Sequence, residues 1–117
     1  MATASSIAFK KLGNTVVVAA DTAAPTGKQA PVTTAALIAA GNYRITNPSS
    51  SVTVFLGTGV SAAAAQASAV APTAGAPSSA IVLIPGTVEI LSFDDDVYFS
   101  GLAASPVSIY ITPGRGM

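Results

Sequence analysis

The chain has 117 residues, half of them apolar, only 9% charged, and a formal net charge of zero. That length suits one domain, and the absence of both His and Cys excludes Ser-His-Asp catalysis, Cys–His nucleophiles, disulfides and the usual nitrogen and sulfur zinc sites. Five Lys and Arg against five Asp and Glu leave no basic field for nucleic acid.

A typical soluble domain is about 25% charged. So little charge favours association, so the surface is either rich in Ser and Thr or covered in an assembly. Three Tyr, four Phe and no Trp mean that the core must rest on Val, Ile, Leu and a few rings.

Residues 1–13 are small and polar, with Ile7, Phe9 and Leu12 as anchors and Lys10-Lys11 as an adjacent pair. They form either a frayed end or an arm that orders on a neighbour, followed by one β domain over 14–117. The start lacks a basic region followed by an apolar one, so no secretory signal is expected. No stretch is long and apolar enough to span a bilayer. The expectation is a soluble protein made in a cytoplasm.

"NTVVVAA" (14–20) is a β-branched strand candidate, and "DTAAPTGKQAPV" (21–32) is a loop broken by Pro25, Gly27 and Pro31. Leu37 and Ile38 suit a short strand or a helical turn. "NYRITN" (42–47) alternates, with Tyr43 and Ile45 on one side and Arg44 and Thr46 on the other. Asn47-Pro48-Ser49 turns the chain into "SVTVFLG" (51–57), where Val52, Val54 and Leu56 share a face. These two strands are expected to pair as a hairpin.

The low-complexity stretch 58–79 follows. Ser61 suits an N-cap, Ala62 to Ala71 favour helix, and Pro72 stops it, which predicts a short Ala-rich helix at 61–71 or a surface loop that touches a partner. Strands at 80–84 and 87–93 are joined by Pro85-Gly86, which suits a type II turn and so a corner rather than a tight hairpin. Asp94-Asp95-Asp96 is a turn, because consecutive carboxylates point to opposite sides and lack the alternating spacing of a Ca²⁺ loop. Strands at 97–102 and 106–112 are expected to form a hairpin around Ala103-Ala104-Ser105. In the last strand Val107, Ile109 and Ile111 face inward, and a Pro-Gly turn with a stub ends the chain. That strand is expected to lie inside its sheet.

Seven or eight short strands with regular turn signals predict an all-β fold, either an antiparallel β-sandwich or a jelly-roll-like small barrel. "GTGVSAAAA" (57–65) lacks the Lys-Ser/Thr of a phosphate loop and the third Gly of a dinucleotide loop. No cofactor is expected.

Three stretches in order, "NYRITNPSSSVTVFLGTGVSAAAA", "IPGTVEILSF" and "VYFSGLAASPVSIYITPGRGM", resemble small β-proteins of tailed-bacteriophage virions. The resemblance covers 42–117 and is closest in kind to head decoration (cement) proteins. It implies a non-catalytic homotrimer on the capsid surface, bound to the major capsid protein across capsomer junctions, with no nucleic acid or membrane partner. The candidate interface residues are Ile7, Phe9, Lys10, Lys11, Arg44, Tyr110 and Arg115, with the Ala-rich segment 60–79 as a further contact region. Low charge implies docking that resists salt. A tail, collar or fibre-base component of the virion is the rival reading. A carbohydrate-binding β-sandwich is disfavoured by the lack of Trp and of loop aromatics.

Overall fold

The computed structural model describes residues 8–31, 41–94 and 96–116. Its strands are β1 (Lys10–Lys11), β2 (Val16–Ala20), β3 (Lys28–Gln29), β4 (Asn42–Thr46), β5 (Val54–Gly59), β6 (Ile81–Leu83), β7 (Val88–Ser92), β8 (Tyr98–Ala103) and β9 (Val107–Arg115), with one helix, α1 (Ala62–Ser68), between β5 and β6. Leu37 and Ile38, in 32–40, lie outside the described residues.

The strands form two antiparallel sheets. Sheet one has β9 at its centre, flanked by β1 and β2 on one side and by β4 then β7 on the other. Sheet two has the order β3-β8-β5-β6. The pairs β5–β6, β4–β7, β3–β8 and β2–β9 nest like the rungs of one long hairpin, and successive rungs fall in alternate sheets. Such a rolled hairpin is a jelly roll.

This pairing corrects two expected hairpins. β4 and β5 lie in different sheets, as do β8 and β9. Alternation dictates which side chains point inward, and Tyr43, Ile45, Val54 and Leu56 are indeed buried. It does not dictate whether two such strands lie side by side or face each other across a core. Here they face each other.

Asn47 makes the first of these corners. Its side chain is fully buried. Nδ2 donates to the carbonyls of Val52 (3.0 Å), Leu83 (2.9 Å) and Ile84 (3.2 Å), while Oδ1 accepts from the Ser49 amide (3.1 Å). One amide therefore fastens the β4–β5 corner to the β6–β7 corner. The latter is the expected type II bend: the Thr87 amide donates to the Ile84 carbonyl at 3.2 Å, and Gly86 has φ of 75°.

The core lies between the sheets. Val18, Ile45, Ile109 and Ile111 from sheet one meet Val54, Leu56, Leu83 and Phe99 from sheet two. Tyr43, Phe93 and Phe99 form an aromatic cluster, with ring centroids 5.2 to 6.0 Å apart and tilted or edge-on planes. It bridges the layers at the end where Asp94 and Asp96 turn the chain.

Helix α1 forms as expected, capped by Ser61, whose Oγ accepts from the Ala64 amide at 3.1 Å. It ends at Ser68, short of the expected 71, with Ala69 as its C-cap. Seven residues are too few for an isolated helix, so packing holds it. It lies on the outer face of sheet two, where β5 offers Gly57 opposite Ala65 and Ala69. Gln66 Nε2 also donates to the Ala24 carbonyl at 2.8 Å, and buried Ser100 donates to the Pro25 carbonyl at 2.6 Å. The chain after α1 is ordered by its own bonds: Thr73 and Ala76 exchange amide–carbonyl pairs, and Ser78 donates to the Val70 carbonyl.

β9 is internal to its sheet, as expected, but it does not stop at Thr112. Pro113 and Gly114 continue the strand, and the left-handed residue is Gly116, at φ of 80°. Proline inside a central strand needs an explanation, because it cannot donate to a ladder. Odd-numbered β9 residues bond toward β1 and β2, as the Leu12 amide donating to the Pro113 carbonyl (2.9 Å) shows. There the register slips: Lys11 pairs with Gly114 and Val16 with Ile111, so four residues (12–15) stand opposite two (112–113). The missing N–H of Pro113 points into this bulge, where no ladder partner is lost.

Candidate docking face

The two outer faces of the sandwich differ. Helix α1 and the segment after it lie over much of sheet two. Across sheet one, among the described residues only the segment at Phe9 and Lys10 lies on the outer face, over Gly114 at one end.

Register places its side chains in rows. Val17, Tyr110, Thr46 and Val88 lie side by side across β2, β9, β4 and β7. The next row is Thr112, Arg44 and Ile90, extended by Thr15, whose Oγ1 lies 2.6 Å from that of Thr112. A third row holds Lys11, Gly114, Asn42 and Ser92. The Phe9 ring packs on Gly114, leaving no room for a Cβ there. Val17, Tyr110 and Val88 are 39, 42 and 49% exposed and stand in one row, interrupted only by Thr46, which makes an apolar stripe on this face. The charged members are Arg44 and Lys11, and no carboxylate shares these rows.

The sequence-derived interface candidates divide accordingly. Phe9, Lys11, Arg44 and Tyr110 come together on this face. Lys10 and Arg115 pair with each other in register but point the other way. Ile7 lies outside the described residues. The Ala-rich segment sits on the opposite face of the molecule, so it does not join this surface. Sequence reasoning missed Val17, Thr46, Val88 and Ile90. For Val17, Val88 and Ile90 the signal was an apolar residue at an outward position of "VVVAA" or "TVEIL", where a sheet face bathed in water would carry a polar one.

Hollows lie elsewhere. One of about 180 Å³ is lined by Thr58, Gly59, Phe93, Asp94 and Asp96, among others. A more apolar one of about 320 Å³ lies on sheet two between Phe55, Leu102, Thr22 and Ala71. Among the described residues no group of three carboxylates, His or Cys is placed to hold a metal. No helix among them is long and apolar enough to cross a membrane. Compared with protein-family models, curated proteins and solved structures, the chain matches none.

Proposed function

We propose that this protein is a virion structural protein that decorates and stabilises a tailed-phage capsid, without catalysis. The outer face of sheet one seats it on the major capsid protein across capsomer junctions. The observation that carries the reading is the contrast between the faces: one sheet lies under a helix, while the other presents Val17, Tyr110 and Val88 bare beside hydroxyls and only two cations. Jelly rolls recur in viral capsids but also in lectins and cupins, so the fold by itself does not assign the role.

Each of the three half-exposed side chains contributes about 1 kcal/mol on docking, from its remaining apolar surface. One such contact is weak. Several copies on one shell bind through avidity and add buried area across junctions, which opposes outward pressure from packaged DNA.

The test is co-sedimentation of the purified protein with undecorated shells built from the capsid protein of the same genome. Binding should change little between low and high salt, because the face is mostly apolar and hydroxyl-bearing. Tyr110→Ala should weaken each contact about fivefold, and Val17→Asp, which also buries a charge, about tenfold or more, with the melting temperature held. Absence of binding to shells, with binding to tails instead, would replace the head assignment by a tail or collar role.

A further inference from the structure

We infer that the outer edge of β7 is a self-association site, at which two copies of this chain pair antiparallel about a two-fold axis at Ile90. The Phe93 amide donates to the Gly41 carbonyl (2.7 Å) and the Asn47 amide to the Thr87 carbonyl (2.9 Å). These bonds fix the phase of the β4–β7 ladder: residues 87, 89, 91 and 93 bond toward β4, and Val88, Ile90 and Ser92 point their N–H and C=O groups away from it. Among the described residues nothing pairs with that side, since β7 ends the sheet.

Natural edges are blunted by Lys, Pro, bulges or covering segments. The run Val88-Glu89-Ile90-Leu91-Ser92 has no Lys, Pro or bulge, and all five residues are half-buried or exposed; its one charge, Glu89, shares the core-side row with Ile45. Exposed apolar side chains also stand on β6 and on the corner that leads into β7, with Val82 at 43% and Ile84 at 59% exposure.

The occupant follows from self-complementarity. With the axis at Ile90, the outward residues of one strand meet the outward residues of its partner: Ile90 faces Ile90 and Val88 faces Ser92. Three outward residues on each strand then exchange six hydrogen bonds. Glu89 faces Leu91, so no like charges oppose. Moving the axis one residue, to Glu89, would set the two carboxylates against each other and lose a pair of bonds. The result is one continuous sheet through both copies, an isologous dimer. It is a two-chain assembly, unlike the trimer implied by the virion resemblance. It does not depend on capsid binding, although it would set two docking faces edge to edge.

Light scattering of the concentrated protein should give twice the chain's 11.4 kDa. Ile90→Lys, which sets two ammonium groups across the axis, should raise the dimer dissociation constant about tenfold or more. The chain has no Cys, so Ile90→Cys gives a clean second readout. A hydrogen-bonded antiparallel pair holds its Cα atoms about 5.5 Å apart, within disulfide range. On mild oxidation this variant should form a covalent dimer much faster than Tyr110→Cys, which sits in the middle of the same face. A monomer or a three-chain mass for the wild-type protein, or cross-linking no faster at 90 than at 110, would overturn the inference.

Discussion

Replacing Asn47 by Ala tests whether one buried amide holds the two sheets at their corner. The side chain has no exposed surface. Its two N–H groups serve three carbonyls, those of Val52, Leu83 and Ile84, and its oxygen serves the Ser49 amide. Alanine cannot replace any of these bonds. A small void at a site with no solvent exposure does not hydrate all the freed groups, so roughly 1 kcal/mol is lost for each of about three groups left unsatisfied. The expected loss is about 3 kcal/mol. For a domain between the small and medium classes, each kcal/mol moves the midpoint by about 4 °C. Thermal unfolding followed by circular dichroism should therefore show a fall of about 12 °C. Asn47→Asp should be at least as damaging, because a carboxylate would face three carbonyl oxygens and could donate to none. A midpoint for Asn47→Ala within about 3 °C of the wild-type value would refute the reasoning, and the corner would then be held by the strands alone.

Two glycine substitutions separate crowding from backbone conformation. Gly57→Ala places a Cβ against the Ala65 carbonyl and the Ala69 amide, both backbone atoms that cannot swing aside. It should cost about 2–3 kcal/mol and loosen α1, read as faster proteolysis within 60–80. Gly86→Ala meets open space but keeps φ of 75°, so it should cost only about 1 kcal/mol in a denaturant titration, through left-handed strain.

Much of the fold is legible locally. The alternation in "NYRIT" and "VSIYIT" marks which residues are buried, because the strand period is two and one face of each sheet is dry. Ser61, the run Ala62 to Ala71 and Pro72 mark the helix through capping, propensity and a stop, although it ends at Ser68. Pro85-Gly86 marks a corner, because a type II turn splays strands that a primed turn would keep paired. Of the docking face, Phe9, Lys11, Arg44 and Tyr110 were candidates from the sequence, but nothing in it placed them together.

What only the tertiary structure decided is who neighbours whom. The expected hairpins at 47–50 and 103–105 and the jelly-roll corners found there bury the same side chains, so the pattern is silent between them. The choice rests on long-range contacts. Asn47, a turn residue in the sequence, bonds to Leu83 and Ile84, far along the chain. Pro113, a strand terminator in the sequence, continues β9 because the bulge at 12–15 removes the need for its N–H. Burial pattern is a property of each segment and is written in it. Strand partnership is a property of pairs of segments, fixed by whichever arrangement closes one core and satisfies the backbone groups at its corners.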